Sequence, residues 1–452
     1  MLSSPTLLVS IKMENESHAD GLLNDSPTST VHLHLDVIYI ILSFLPQPDL
    51  IRAMSTCRTL NHAGVRHLLN FDVHLDSTRK IESFCAFMVV QAPLRYPFLC
   101  QLSIGGLDRP VSSESINQLV EILTHTSCLE TLHLTCCDLL KSHHRLRAAC
   151  SSLTSLKEFH MSWNGGPVSW AKDPLYQMVK QMQSPLVKVH LRSFGYIGRI
   201  GLDPAVLLHH CSTTLEDLTI YATAFQSELQ FPRVRKLSLS SMGYPPLALT
   251  ARNFPNLTDL TILRDIDRLN VADHQYRQLN HSVQLAGGGW KSLDRLAGWP
   301  LDLYKLGLTC QIRRVEFSCV YRDTHDIVTH ILSDCRPSHV RIGLTREFPC
   351  VRCIPNEVAA RLTYLRCTIN LMYFFEKSDA LFIVDGSITR DLMFVRQFRP
   401  ELFASKIIAS HPSIRYIAIQ INWADPLFWK VLTMGVAKLL WTRRQQKIFR
   451  WL

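Results

Sequence analysis

An apolar triplet with the spacing L-x-x-L-x-L recurs through the first half of the chain and dominates its hydrophobic pattern. The last two apolar positions alternate, as a β-strand with one buried face requires, and the first lies three residues earlier, in the turn that enters the strand. Successive triplets start 30, 27, 30, 29, 19 and 23 residues apart. The seven triplets are Leu99/Leu102/Ile104, Leu129/Leu132/Leu134, Leu156/Phe159/Met161, Leu186/Val189/Leu191, Leu215/Leu218/Ile220, Val234/Leu237/Leu239 and Leu257/Leu260/Ile262.

Helical stretches lie between the triplets, and one unit of strand and helix is too small to hide its own apolar face. In residues 114–123, for example, Ile116, Leu119, Val120 and Leu123 recur at helical spacing. A stack of units can bury these faces jointly, and spacings of about 20–29 residues are typical of leucine-rich repeats. The pattern predicts an α/β fold, an irregular leucine-rich-repeat-like solenoid over residues 71–428. Unrelated strands of a globular α/β fold are the alternative.

The pattern loosens after residue 264. Residues 264–300 carry many charges and three consecutive glycines, Gly287 to Gly289, which indicate an insertion or a long loop. Further apolar units follow, so the sequence predicts about ten to twelve irregular repeats in all. These later units are Leu303/Leu306/Leu308, Ile312/Val315/Phe317, Val340/Ile342/Leu344, Leu362/Leu365, Leu381/Ile383 and Ile414/Ile417/Ile419.

The position between the last two apolar residues of each triplet lies on the opposite face of the predicted sheet, which a solenoid uses for recognition. Three consecutive histidines there give an uncharged to weakly basic face that could become cationic at about pH 6. No arginine cluster occupies these positions to indicate a phosphate pocket, and ordinary solvated strand residues are the alternative interpretation. The predicted substrate-contact residues are Ser103, His133, His160, His190, Thr219, Ser238 and Thr261.

Residues 31–70 have a helical pattern instead. Pro46 and Pro48 end the first of three predicted helices, Asp49 is placed to cap the second, and Asn61 is placed to cap the third. Three short helices bury too little surface to be stable alone, so a partner surface is expected. The three apolar faces are Leu35, Ile38, Ile41, Leu42 and Leu45, then Leu50, Ala53, Met54 and Cys57, then Leu60, Ala63, Gly64, His67 and Leu68.

This segment resembles an F-box. The family pattern runs Leu-Pro, an acidic residue, a branched pair, Ile, Leu, an acidic residue with Leu, and Cys-Arg/Lys followed by a large apolar residue. His34 stands where the family usually has Pro, and Leu60 where it often has Trp. An ordinary helical cap on the next domain is the alternative. The matching positions are Leu33-His34, Asp36, Val37-Ile38, Ile41, Leu45, Asp49-Leu50, Cys57-Arg58 and Leu60.

The resemblance implies that the helices dock on a Skp-type adaptor, and through it on a cullin-RING ubiquitin ligase, while the solenoid presents a protein substrate of unknown identity. The order of helices and degenerate repeats is similar to that of many fungal F-box proteins. A leucine-rich scaffold outside any ligase is the alternative function, and a nucleic-acid or membrane-surface binder is a third. The implied adaptor-docking residues are Leu33, Asp36, Ile38, Ile41, Leu45, Leu50, Cys57 and Leu60.

Composition indicates the class of protein and the compartment in which it acts. The 47% apolar content of 452 residues indicates a folded protein, and no apolar run is long enough to predict a transmembrane helix. Residues 1–30 are polar, lack the features of a signal peptide, and predict a disordered tail. Fourteen scattered cysteines fit reduced thiols in the cytoplasm or nucleus. The net charge of +10 is spread along the chain and by itself assigns no specific nucleic-acid partner.

Residues 429–452 form a basic, aromatic-rich end. A helix there would place Val431, Leu432, Val436 and Leu439 roughly on one side. A cap on the last repeat is the preferred interpretation, with a membrane-surface helix or an unstructured end as alternatives.

No motif in the chain requires catalysis, a cofactor or a metal. Cys350 and Cys353 are the one C-x-x-C pair, and a second tight pair that would complete a zinc site is missing. The adjacent His143 and His144 lack nearby acidic or thiol partners. Trp290 interrupts the Gly-Lys spacing that a phosphate loop needs. We therefore expect a non-enzymatic protein that works through binding.

Overall fold

A computed structural model of the protein describes thirteen stretches of the chain. They are residues 34–107, 109–135, 138–163, 173–193, 203–221, 225–240, 247–262, 271–344, 353–369, 400–411, 413–421, 427–433 and 436–441. Leu33, residues 1–30 and the unit Leu381/Ile383 lie outside them.

Three helices come first: α1 (Leu35–Phe44), α2 (Gln47–Met54) and α3 (Arg58–Asn70). The helices that follow are α4 (Thr78–Val89), α5 (Ser113–His125), α6 (Asp138–Ser142), α7 (His144–Ser152), α8 (Pro174–Lys180), α9 (Pro204–Leu207), α10 (Leu247–Asn253), α11 (Val271–Leu285), α12 (Pro300–Leu306), α13 (His325–Cys335), α14 (Asn356–Ala359) and α15 (Pro400–Ser410).

The strands alternate with these later helices and form one sheet. They are β1 (Val73–Leu75), β2 (Gln101–Ile104), β3 (Thr131–Thr135), β4 (Glu158–Trp163), β5 (Lys188–Ser193), β6 (Asp217–Tyr221), β7 (Lys236–Ser240), β8 (Asp259–Ile262), β9 (Ser292–Gly298), β10 (Gln311–Val320), β11 (His339–Leu344), β12 (Tyr364–Ile369), β13 (Tyr416–Ile421), β14 (Leu427–Thr433) and β15 (Val436–Trp441).

The strands lie side by side in chain order. Strands β1 to β13 are parallel, and β14 and β15 pair antiparallel at the end. Each strand therefore contacts only the repeat before it and the repeat after it, which is the connectivity of a solenoid. The chain is an α/β protein with a small helical module followed by a solenoid-like sheet, as the sequence predicts.

The apolar triplets form the core on one side of this sheet. All seven early triplets are buried, and they pack with helix residues such as Leu119 and Leu146 in one continuous cluster. Neighbouring helices also pack against one another along that side, as α11 does with α12 and α12 with α13. The residues between the buried strand positions lie on the other side, which we call the open face.

The expectation of an insertion at residues 264–300 is wrong for the described part of that range. Helix α11 and strand β9 occupy it, and β9 pairs with β8 and β10 in the same sheet. The triplet breaks there because Gly298 takes its third position. A Cβ at Gly298 would lie 2.7 Å from the backbone oxygen of Ile262 and 3.0 Å from Leu303, so only glycine fits this approach.

The predicted unit Leu303/Leu306/Leu308 is not a strand. Leu303 and Leu306 lie in α12, which starts with Pro300 and ends at Gly307 in a left-handed conformation. The three side chains are still buried, so the triplet correctly predicts core residues but wrongly predicts a strand.

The end of the chain also differs from the helix considered for residues 429–452. Residues 427–433 and 436–441 form β14 and β15, and β14 adds to the sheet beside β13. The remaining residues of that range lie outside the described part.

Two further findings concern the setting of the fold. Most of the described cysteines are buried. Among the described residues, none of the helices has the length and apolar character needed to cross a membrane.

Candidate functional site: the helical module and the open face

The helical module starts at His34, which caps α1. Its ring accepts a hydrogen bond from the backbone N–H of Asp36 at 3.4 Å, and its Nδ1 lies 3.1 Å from the Asp36 carboxylate. The backbone at His34 has φ −62° and ψ 142°, which are values that proline adopts. The departure from the family Pro therefore leaves the entry into α1 intact.

The caps of the next two helices are not the predicted ones. Pro46 precedes α2, and Asp49 lies in its first turn, where it pairs with Arg52 at 3.0 Å. Cys57 caps α3, since its Sγ accepts a hydrogen bond from the backbone N–H of Leu60. Asn61 lies inside α3 and donates to the backbone oxygen of Met54, so it ties α3 to the end of α2.

The interior of the module accounts for part of the predicted adaptor-docking set. Ile38 and Leu50 are buried, and Leu50 has no exposed surface. Met54 packs close to α3 because Gly64 has no side chain, and a Cβ there would lie 2.3 Å from Met54 Cγ. Burial removes Ile38 and Leu50 from any surface, so these two residues hold the three helices together.

The other predicted docking residues reach the surface to different degrees. Asp36 and Ile41 are exposed, while Leu45, Cys57 and Leu60 are half-buried. Leu33 lies outside the described residues. The structure thus separates the predicted set into residues of the interior and residues of the surface.

An exposed apolar surface on α1 and α2 includes residues that the sequence analysis did not select. Phe44 is 82% exposed, Ile40 58% and Ile51 50%, and Leu35, Val37 and Ile41 are also exposed. We call Leu35, Val37, Ile40, Ile41, Phe44 and Ile51 the apolar surface of the module. The composition of α1 is the sequence signal that could have identified this surface. The helix is apolar almost all the way round, whereas a helix at a protein surface is ordinarily apolar on one side.

The seven predicted substrate-contact residues form one row across the open face. The strand register pairs Ser103 with His133, His133 with His160, and so on through His190, Thr219 and Ser238 to Thr261. All seven are half-buried. The strand register aligns these residues in one row, and their contact with a substrate stays a prediction.

The histidines of this row touch one another. The ring centroids of His133 and His160 are 4.2 Å apart, and those of His160 and His190 are 5.2 Å apart. Burial, assisted by neighbouring cationic groups, lowers the pKa of His160 and of His190 below the ordinary 6.5. His160 and His190 therefore become cationic at a lower pH than free histidine would.

Beside the histidine row runs a second row whose charges alternate. The paired neighbours are Glu158, Lys188, Asp217, Lys236, Asp259 and Arg295, one on each strand from β4 to β9. Neighbouring strands lie about 4.8 Å apart, so each charge from Lys188 to Asp259 has the opposite charge as its neighbour on both sides. We call this row the charge ladder.

One group of side chains could hold a metal ion. The ligand atoms of His133, Glu158 and His160 all lie within 4.8 Å of one another. Glu158 already accepts hydrogen bonds from Lys188 at 2.7 Å and from His160 at 2.5 Å. These bonds outweigh the effect of burial, which raises the pKa of Glu158, and hold that pKa below its usual value. Both hydrogen bonds go to Oε1, so a metal bound through that oxygen would displace the Lys188 ammonium.

Comparison with known proteins gives one match. A family profile described as the F-box domain matches residues 31–71, which span the three helices of the module and end before the sheet. None of the curated proteins matches the chain. The protein therefore contains an F-box domain at residues 31–71, followed by a solenoid-like sheet to which this match does not extend.

Proposed function

We propose that this protein is the substrate-recognition subunit of a cullin-RING ubiquitin ligase. F-box domains in general bind Skp-type adaptors, which supports a role as an adaptor between ligase and substrate. The single observation that carries the proposal is the apolar surface of the module, with Phe44 82% exposed. A contiguous exposed apolar surface typically marks a protein–protein interface.

The apolar surface has the composition of an interface centre. Residues that dominate binding energy fill well-packed pockets from which water is excluded, and the large exposed ring of Phe44 is suited to such a pocket. Covering Phe44 alone would contribute about 1.5–3 kcal/mol from the area removed from water. We therefore place adaptor docking on Phe44, Ile40, Ile41 and Ile51, with Asp36, Leu45, Cys57 and Leu60 nearby.

The open face supplies the second half of the proposal. It is a continuous, half-buried surface across many strands, and its side chains differ in charge from strand to strand. A substrate bound there would be held close to the ubiquitin carrier of the ligase, so that one of its lysines reacts at a high effective concentration. The protein itself performs no chemistry in this scheme, and it acts in the cytoplasm or the nucleus.

Coexpression of the full chain with a Skp-type adaptor, followed by size-exclusion chromatography, tests the proposal. We expect a stable one-to-one complex. Phe44→Asp should abolish it, because the charge would be buried without a partner in the contact. The matched control is Leu285→Asp at the end of α11, where the side chain is 75% exposed and far from the module in sequence. This variant should bind the adaptor as the unmodified chain does.

Absence of a complex with a folded full-length chain would overturn the proposal and leave a leucine-rich scaffold whose helices cap the sheet. Equal loss of binding in Phe44→Asp and Leu285→Asp would show that the effect is not specific to the apolar surface.

A further inference from the structure

The charge ladder stops alternating at β10. Arg295 of β9 has Arg314 of β10 as its neighbour, and His339 of β11 follows Arg314 in the same row. In the adjacent histidine row, Glu316, Arg341 and Arg366 lie side by side on β10, β11 and β12. Like charges now lie on neighbouring strands, as in the pairs Arg295 with Arg314 and Arg341 with Arg366.

The described carboxylates of this region do not balance its arginines. Arg295 binds Glu316 through two hydrogen bonds of 2.9 Å, and Arg313 pairs with Asp294. Asp259 lies beside Arg295 in the ladder. Three carboxylates thus stand against five guanidinium groups, those of Arg295, Arg313, Arg314, Arg341 and Arg366.

Three of the arginines have weak partners or neutral ones. The Nη1 atom of Arg341 lies 3.7 Å from Glu316, too far for a hydrogen bond. Arg366 donates to the neutral side chain of Gln420 at 2.7 Å, and its buried Nε has no partner among the described residues. The ion pairs found among the described residues do not include Arg314. We call Arg314, Arg341 and Arg366 the arginine cluster.

The cluster is costly for the free protein. Burial and the charge of Arg366 both lower the pKa of Arg341, since each disfavours another cation at that position. Half-buried guanidinium groups that repel one another are stabilised by an anion that accepts their hydrogen bonds. Geometry and charge therefore both indicate a ligand with negative groups.

We infer that the arginine cluster binds the carboxylate or phosphate groups of an acidic segment of a protein substrate on the open face. The inference rests on the proposed function in taking the ligand to be a protein. It is favoured over nucleic acid because Glu316, Asp294 and Asp259 lie among the arginines. A continuous phosphate backbone would meet these carboxylates, whereas separate anions along a peptide can avoid them.

Three labelled peptides of one sequence test the inference with the full-length protein by fluorescence anisotropy. One carries spaced glutamates, the second phosphoserines at the same positions, and the third glutamines. We expect the two acidic peptides to bind, with loss of affinity at high salt, and the glutamine peptide not to bind. The stronger of the two acidic peptides identifies the source of the anion.

Variants locate the binding. Arg341→Gln and Arg366→Gln should each weaken the binding of the acidic peptides about tenfold, because each removes a charge-assisted hydrogen bond. Lys236→Gln is the matched control, since it removes the same charge from the same face within the alternating part of the ladder. It should leave the affinity unchanged.

Thermal unfolding distinguishes a binding role from a structural one. Removing Arg341 relieves repulsion from Arg366, so Arg341→Gln should keep or raise the melting temperature while it weakens binding. Arg341→Lys keeps the positive charge but loses the planar guanidinium group with its two parallel donors. It should therefore lower the affinity for the phosphoserine peptide more than Lys236→Gln does.

Two outcomes would overturn the inference. One is equal affinity of the unmodified chain and both arginine variants for the acidic peptides. The other is binding of an oligothymidylate that competes with these peptides and is tighter than theirs, which would assign the cluster to nucleic acid. Neither experiment contains the adaptor, so a failure here is independent of the test of the apolar surface.

Discussion

Two histidine side chains on the open face make the stability of the protein depend on pH. Burial lowers the pKa of His160 and His190 in the folded protein, with help from His133 for the first and from Arg192 and Lys188 for the second. Glu158 and Asp217 act in the opposite direction, and the net shift is downward. As the pH falls through about 6.5, the unfolded chain therefore binds these protons before the folded one.

We expect the melting temperature to fall when the pH is lowered from about 7.5 to about 5.5. The fall should be smaller in His160→Gln, because that variant no longer has the group whose protonation opposes folding. Calorimetry at the two pH values measures the melting temperature of each protein. His144→Gln, on the exposed first turn of α7, is the control and should show the same fall as the unmodified chain. An equal fall in His160→Gln would assign the pH dependence to other groups.

At the residue scale, the sequence predicts which strand side chains lie on the open face. The position between two apolar residues of a triplet is on the open face for every one of the seven residues that were predicted. Applied to the later units, the same rule gives Glu316 between Val315 and Phe317, and Arg341 between Val340 and Ile342. The arginine cluster was thus detectable in part, although its balance of charge depends on which strands become neighbours.

At the scale of helices and strands, the spacing of apolar residues does not predict every element. Helix α11 lies in a stretch that the sequence analysis interprets as a loop, and its buried side carries polar groups, Asp273 and Asn280. Asp273 pairs with Lys305 of α12 at 3.0 Å with both side chains almost fully buried, and Asn280 donates to the Lys305 backbone oxygen. A helix held by a buried ion pair looks like a charged loop in the sequence, which explains the missed repeat.

The Asp273–Lys305 pair gives a prediction for these two helices. Asp273→Ala should lower the free energy of unfolding by about 3–5 kcal/mol, because it leaves a buried ammonium group without its carboxylate. The double variant Asp273→Leu with Lys305→Met should cost much less, since neither buried charge remains. Chemical denaturation of the three proteins measures the difference. A double variant less stable than Asp273→Ala would contradict the account.

The caps of α2 and α3 were missed for a related reason. Asp49 and Asn61 are typical capping residues, and the sequence placed each at the start of a helix. The chain turns earlier in both cases, at Pro46 and at Cys57, and Leu50 and Met54 lie against Gly64 where α2 and α3 meet. Tertiary contacts of this kind are absent from a local pattern.

At the scale of the whole molecule, each described strand pairs with its neighbours in chain order, and the helical module contacts the first repeat. The backbone N–H of Cys100 donates to the oxygen of Leu69 at the end of α3, and Arg66 lies 5.9 Å from the ring of Phe98. Stability in such an array is close to a sum of local terms and contacts between neighbours. Disruption of one end should therefore spread only a short distance.

Hydrogen exchange measured by mass spectrometry tests this locality. Leu50→Asp places a charge at a fully buried position of the module, so we expect the amides of α1 to α3 to lose protection. Protection in strands β5 to β8 should stay as it is in the unmodified chain. Loss of protection in those strands as well would show that the protein unfolds as one cooperative unit.

The charge ladder also limits how this protein can have grown. Duplication of a single repeat between β4 and β9 would set a charge beside its own copy, as when Lys188 acquires a second lysine as its neighbour, and like charges on adjacent strands destabilise a sheet. Duplication of two successive repeats keeps the alternation. Repeats in this part of the sheet can therefore be gained or lost in pairs at low cost, and one at a time only if a charge changes with them.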